Sequence, residues 1–252
     1  MESRGAPAEI DITIAKAASA IRSAEHLVAF TGAGISAESG IPPFRGENGI
    51  WSRYDPKVLD IDYFNADPAR CWPIIKEIFY DFFGKAQPNQ AHLILAELER
   101  RGRLSTLITQ NIDDLHYRAG SRAVIEYHGN SRLLACPGCG RRYEVEAVDL
   151  ARLPPRCACG SVLKPDFVFF GEAIPTSALV ASEEAAGRAD VMLVIGTTGE
   201  VYPAALLPRA ASRRGATIIE VNPEESAYTA EITDIFVRLP AVSAMERILT
   251  AL

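Results

Sequence analysis

Long apolar runs are missing from this 252-residue sequence. No uninterrupted stretch approaches the ~20 residues that a membrane-spanning helix needs. Met1 to Pro7 is polar and Gly/Pro-containing, with no sign of an N-terminal targeting segment. The expectation is a soluble, cytoplasmic protein without a membrane partner. A basic excess is missing too: 26 Lys and Arg face 32 Asp and Glu, a net charge of -6. That balance argues against nucleic acid as the main partner and suits a cationic peptide. Internal repeats and low-complexity segments are absent. Histidine is scarce, with 4 in the whole chain, so each one can be weighed singly.

What is present is core-forming material. Hydrophobic residues make up 48% and charged residues 23%, which excludes disorder. The length suggests one large domain carrying an insertion. Residues 10 to 25 place Ile10, Ile14, Ala17, Ala18 and Ile21 on one helical face. Leu27 to Phe30 reads as a strand feeding a glycine loop. "NQAHLILAELERRG" reads as a helix stopped by Gly102, "LSTLITQN" as a buried strand and "DDLHYRAG" as a short helix. "AVIEYHG" is a further strand. A helix near 177–188, the strand "VMLVIGT", a helix near 203–213, the strand "ATIIEVN" and a last helix near Val242 follow. Strands that alternate with helices and are continuously apolar imply a parallel sheet covered on both faces. The alternation breaks twice, so the reading is an α/β, Rossmann-like doubly wound sheet with a smaller inserted lobe. Residues 1–41, 89–130 and 168–252 would form the large domain, 42–88 a helical module and 131–167 a metal-binding module. Ligands in such sheets sit beyond the carboxyl ends of the strands. There the chain offers Thr31-Gly32, Gln110-Asn111, Gly196-Thr197-Thr198 and Asn222.

Four stretches carry chemistry. Gly32-Ala33-Gly34-Ile35-Ser36-Ala37 fits G-x-G-x-x-G/A. In that pattern Gly32 permits a tight turn, Gly34 lets backbone approach a pyrophosphate, and Ala37 keeps a helix close to the sheet. No second strand follows to supply the usual acidic ribose partner; the chain instead reaches Pro42-Pro43-Phe44-Arg45-Gly46. A plain dehydrogenase therefore fits poorly. "TQNIDDLH" puts an amide and a carboxylate at a strand mouth, where they can read a carboxamide or cap the following helix. His116 in that helix reads as structural. His128, at a strand end before Gly129, is the best general base of the four histidines. Cys136 and Cys139, then Cys157 and Cys159, match a four-cysteine structural zinc ribbon. Cys71 reads as a small buried hydrophobe.

Together "GAGISAESGIPPFRG", "TQNIDDLH", "YHGN", the cysteine pairs, "KPDFVFFGEAIP", "GTTGEVYPA" and "EVNPEES" resemble the sirtuins, NAD-dependent protein-lysine deacylases. The likeness runs from about residue 25 to 241. It implies a Rossmann-fold large domain and a small lobe of zinc and helical modules. It places an NAD site on Gly32, Ala33, Gly34, Glu38, Phe44, Arg45, Gln110, Asn111, Asp113, Gly196, Thr197, Thr198, Asn222 and Ala241. Phe44 and Arg45 would lie on a loop that folds over NAD. The acyl-lysine amide oxygen would attack the ribose carbon as nicotinamide leaves. His128 would then activate a ribose hydroxyl, with Asn111 and Asp113 holding the ribose and carboxamide. The products would be lysine, nicotinamide and O-acyl-ADP-ribose. The acylated peptide would add as a strand between Val168, Phe170, Gly171 and Glu200, Val201, Tyr202, in two segments expected to be extended.

The motifs are most similar to the branch that removes acidic acyl groups, which reads the acyl carboxylate with Tyr-x-x-Arg. Here Tyr80 is present and Phe83 stands at the arginine position. An unpaired buried carboxylate is costly. The expectation is therefore a preference for acetyl or larger apolar acyl groups. Desuccinylation or demalonylation is one alternative. ADP-ribosyl transfer or NAD hydrolysis on the same scaffold is another. A non-catalytic zinc ribbon that binds nucleic acid is a third, resting on Arg132, Arg141, Arg142, Arg152 and Arg156.

Overall fold

The computed structural model describes residues 6–42 and 49–252. Its largest sheet has the strand order β3-β2-β1-β7-β8-β9, with every neighbouring pair parallel. The strands are β1 (Leu27–Thr31), β2 (Leu104–Thr109), β3 (Val124–Glu126), β7 (Val191–Ile195), β8 (Thr217–Val221) and β9 (Ile235–Val237). β1 and β7 are buried at every position, as a central strand must be when helices cover both faces. On one face lie α1 (Ala6–Ser23), α4 (Gln90–Arg100) and α8 (Ala241–Ala251), whose Ile14, Ile21, Leu95, Leu98, Met245 and Ile248 share one core. On the other lie α6 (Thr176–Arg188) and α7 (Leu206–Arg213), which contribute Ala186, Leu207 and Ala211 to a second. From β1 the chain winds outward one way through β2 and β3. It later winds the other way through β7, β8 and β9. The point where the winding reverses, between β1 and β7, is where such sheets take ligands.

The two excursions build one lobe. The first holds α2 (Ile61–Ala66) and α3 (Pro68–Ile75), which runs on as a π-helical turn, Lys76–Phe82. Beyond β2, the short helix α5 (Leu115–Ala119) is closed by Gly120 at φ 111°. The second excursion is an antiparallel sheet, β5-β4-β6, from β4 (Gly129–Ala135), β5 (Arg142–Glu144) and β6 (Lys164–Phe167). Trp72, Ile78, Phe79 and Phe83 from the first pack with Leu134, Cys136, Leu163 and Phe167 from the second in a common core.

Local structure departs from the expected pattern in four places. After Gly32 the chain forms a 3-10 run, Ala33–Ser39, ended by Gly40 at φ 86°, where the glycine pattern had suggested an α-helix. The strand "AVIEYHG" stops at Glu126, and His128 lies on a turn into β4 of the other sheet. The helix expected from about 203 starts at Leu206. The residues before it fold back, with Ala205 N–H donating to Val201 O at 2.8 Å, so "GEVYP" is a turn and not an extended strand. β4, β5, β6 and β9 carry no clear alternation in the sequence.

Candidate active site and zinc centre

The strand tips are tied into one row. His128 Nδ1–H donates to Gln110 O at 3.0 Å. Gln110 N–H donates to Thr31 O at 2.9 Å, and its side-chain Nε2 reaches Thr197 Oγ1 at 3.1 Å. Asn111 Nδ2 donates to Gly32 O at 3.1 Å. Gly32 N–H donates to Ile195 O, Gly34 N–H to Gly196 O at 2.8 Å, and Gly196 N–H to Val221 O. Asn222 Nδ2 closes the row on Thr197 O at 2.8 Å. Five parallel strands thus present His128, Gln110, Asn111, Gly32, Thr197 and Asn222 along a single edge. Asn111 Oδ1 and Gln110 Oε1 have no hydrogen-bond partner among the described residues.

Gly32 and Gly34 also pack against the loop after β7. A Cβ on Gly34 would stand 2.6 Å from Gly196 Cα, and one on Gly32 2.8 Å from Gly196 O. Gly196 itself sits at φ 65°. The pair of loops crosses at backbone contact, which holds the winding-reversal crevice narrow.

Beneath the row lies a buried polar network that the sequence reading passed over. Ser36 Oγ donates to Asp113 Oδ2 at 2.7 Å and receives Asn111 Nδ2 at 3.3 Å. His92 Nε2 lies 3.4 Å from the same hydroxyl. Asp113 Oδ1 also accepts from Leu115 N–H at 3.0 Å, so this carboxylate caps α5 as well as anchoring Ser36. Burial raises the Asp113 pKa above the ordinary carboxylate value, and the Ser36 hydrogen bond works against that rise. His116 Nε2 pairs with Thr31 Oγ1 at 2.9 Å in full burial, which agrees with a structural role. Its ring packs 4.9 Å from that of His92. The available signal was polar: Ser36, His92 and His116 interrupt otherwise apolar faces.

His128 is suited to accept a proton. Burial lowers its pKa below 6.5, and the bond to Gln110 O partly offsets this. With Nδ1–H committed to a carbonyl, the neutral ring keeps its lone pair on Nε2, which has no partner among the described residues. The Val168 N–H donates to His128 O at 2.8 Å, so the "FVFFGE" segment runs directly past the histidine. Phe167 and Phe169 are buried in the lobe core, while Phe170 is half exposed beside Trp51. Gly171 has φ 89° and is exposed, as is Tyr202. Val201 is partly buried and Glu200 exposed.

Other expected positions are placed as follows. Glu38 Oε2 accepts from Val242 N–H at 2.8 Å, at the start of α8 next to buried Ala241. Ala33 is partly exposed, and Thr198 O receives Ala227 N–H. Tyr80 stacks on Trp72, its hydroxyl buried without a partner among the described residues. Phe83 is buried. Phe44 and Arg45 lie outside the described residues.

The four paired cysteines converge. Their Sγ atoms all lie within 4.8 Å of one another, with Cys136–Cys159 at 3.5 Å and Cys139–Cys157 at 3.6 Å. A tetrahedron of ~2.3 Å zinc–sulfur bonds has sulfur–sulfur edges of about 3.8 Å. The set therefore fits a closed structural zinc site, and the tight Cys157-x-Cys159 spacing does not spoil it. Hydrogen bonding from the Ser161 side chain and backbone brings the Cys159 pKa down to about 6, favouring the thiolate that zinc requires. Cys71 is buried apart from them.

A Sir2 family model matches residues 32–203. The NAD-dependent protein deacylase of Aeropyrum pernix is 50% identical over 227 residues, covering 89% of this chain and 91% of that protein. The NAD-dependent protein deacetylase of Saccharolobus solfataricus is 42% identical over 93% of this chain and 95% of its own length. Among solved structures, a Sir2 homologue in complex with ADP-ribose superposes with a TM-score of 0.89 at 45% identity, covering 94% of this chain and 95% of its own. A Sir2–p53 peptide–NAD+ complex gives 0.86 at 38% identity, covering 93% and 96%.

Proposed function

The chain belongs to the Sir2 family, and from that premise we propose how it acts as an NAD-dependent protein-lysine deacylase. NAD is consumed as a co-substrate and supplies the electrophilic ribose carbon and nicotinamide as leaving group. The row of strand tips binds it. Asn111, Asp113 and Gln110 hold the ribose and carboxamide, Gly32, Ala33, Gly34, Gly196, Thr197 and Thr198 line the crevice, and Asn222 closes its far side. Glu38 and Ala241 border the same crevice at the start of α8. His128 Nε2 takes the proton of a ribose hydroxyl. A neutral amide is a poor nucleophile, so orientation supplies much of the barrier reduction. The acylated lysine lies along Val168 to Gly171 on one side and Glu200 to Tyr202 on the other. The observation that carries this reading is the His128 ring: anchored at Nδ1, unpartnered at Nε2 among the described residues, and one hydrogen bond away from both the Gln110 tip and the Val168 segment.

The acyl group we propose is acetyl or a longer apolar chain. Phe83 is buried in the lobe core, and Tyr80 offers one buried hydroxyl without a partner among the described residues. A cavity of about 250 Å³ is lined by Ile50, Ile78, Phe82 and Phe83, with Arg53 and Glu77 on its wall and Asp81 paired with Lys76. Its apolar lining suits an apolar chain. Acetyl-, myristoyl- and succinyl-lysine peptides with NAD, followed by mass spectrometry, check this. The apolar peptides should turn over at least ~10-fold faster, and Phe83→Arg should narrow the gap by raising succinyl turnover, as pairing a buried carboxylate removes most of its penalty. Fastest turnover of the succinyl peptide by the unaltered protein rejects the acyl assignment. Nicotinamide release that does not match lysine formation one to one rejects deacylation as the reaction.

A further inference from the structure

One guanidinium ties together the two loops that carry the proposed base and the proposed nicotinamide-side residues. Arg132 lies in the middle of β4, the strand that starts one residue after His128 and ends one residue before Cys136. Its Nη1 donates to Asp114 Oδ1 at 2.9 Å and also to Glu126 Oε1; its Nη2 donates to Glu126 Oε2 at 2.9 Å. The guanidinium lies 4.8 Å from the centre of the Tyr117 ring in α5. Glu126 is the last residue of β3, two before His128. Asp114 directly follows Asp113 and holds the left-handed conformation at φ 64°. Neighbours reinforce the join: Asn130 Nδ2 donates to Glu126 Oε2 at 3.0 Å, and Ser131 donates through both Oγ and N–H to Ile112 O.

We propose that Arg132 is a positioning residue for the reaction, holding the His128 turn and the Asn111–Asp114 loop at a fixed separation from the zinc-bearing lobe. The bidentate fork to Glu126 fixes orientation as well as distance, and a lysine cannot reproduce it. Without the guanidinium, two carboxylates that now accept from one Nη1 are left facing each other. They repel, and the His128 turn moves away from the Asn111–Asp114 loop, which stays anchored through Asp113 to Ser36 and Leu115 N–H. Displacement of a catalytic group by about 1 Å costs on the order of 100-fold in rate. The nucleic-acid alternative rested on Arg132 among other arginines, but this guanidinium is already paired with Asp114 and Glu126.

The proposal rests on His128 being the base, and the test separates the two. The rate of lysine formation from an acetyl-lysine peptide at saturating NAD is measured for the unaltered chain and for Arg132→Met, Arg132→Lys, Glu126→Gln and His128→Ala. Exchange of labelled nicotinamide into NAD, which requires the leaving-group step but not the base, is measured alongside, with thermal midpoints. Arg132→Met should lose about 10- to 100-fold in lysine formation and several-fold less in exchange. Arg132→Lys should recover only part of the loss, and Glu126→Gln should lower kcat with KM for NAD little changed. An Arg132→Met enzyme whose lysine formation and exchange fall in equal proportion, or not at all, overturns the proposal while His128→Ala is inactive in lysine formation. Undiminished lysine formation by His128→Ala removes the base assignment and this proposal with it.

Discussion

At the scale of single residues, burial sets the chemistry. His92 is fully enclosed beside Ser36 and His116, and burial lowers its pKa to about 4. The unfolded chain takes up that proton near pH 6.5, so between pH 6.5 and 4 the unfolded state binds more protons than the folded one. Stability therefore rises with pH across this window and is lost as pH falls through it, by about 3 kcal/mol from this group alone. Thermal midpoints measured from pH 7 to pH 4 should fall steeply, and His92→Gln should flatten the slope. A slope unchanged in that variant would exclude His92 as its source. The sequence marked His92 only as a residue of an amphipathic helix. Its real surroundings come from α4 meeting the glycine loop and α5, three segments far apart in the chain. His128, by contrast, was legible in its place beside the sheet, two residues past β3 and before Gly129, although the strand itself stops at Glu126.

At the scale of elements, the crossing of the β1 and β7 loops sets the crevice. Gly196 at φ 65° lies against Gly34 and Ile35 backbone, with no room for a side chain. Gly196→Ala combines a left-handed strain of about 1–2 kcal/mol with a clash against backbone that cannot move aside. We expect NAD affinity to drop at least ~10-fold by calorimetry, with a lowered thermal midpoint. Unchanged affinity would show that the crossing does not shape the cofactor crevice. The alternating apolar runs gave away β1, β2, β7 and β8, since a central parallel strand must be apolar on both faces. The short strands β4 and β9 were not legible. Their residues are half buried and mixed in polarity, and only pairing with β5, β6 and β8 makes them strands. "GEVYP" misled for a related reason: its β-forming residues are held in a turn by Tyr228 and Arg209. Tyr228 donates through its hydroxyl to Ala205 O at 3.1 Å, and Arg209 Nη1 donates to the same oxygen at 2.9 Å.

At the scale of the whole molecule, two excursions of the chain share one core, and the four cysteines staple the far end of it. Cys136 and Cys157 are themselves part of that core, next to Leu134 and Leu163. Loss of zinc should therefore loosen more than the ribbon. β4 leads straight from Cys136 back to His128, so slack at the metal reaches the base. Chelation, or Cys157→Ser, should lower the thermal midpoint and raise hydrogen exchange along β4 and β6, with the parallel sheet protected. Exchange confined to residues 136–160 would show that the ribbon is energetically separate. Paired structural zinc thiolates contribute folding free energy directly, so the effect should be large.

The sequence by itself determined the class of fold, the zinc ligands and the residues at the strand tips. Those depend on local patterns: apolar runs of strand length, glycines at turns, and cysteines in close pairs. Tertiary structure alone decided that Arg132 joins Asp114 to Glu126, that Ser36 meets Asp113 and His92, and that Gly34 faces Gly196 and not open solvent. Each of those contacts closes a loop of chain whose ends carry no mutual signal. The energy that selects them comes from burying polar groups only where partners await, and that is settled when the whole chain has packed.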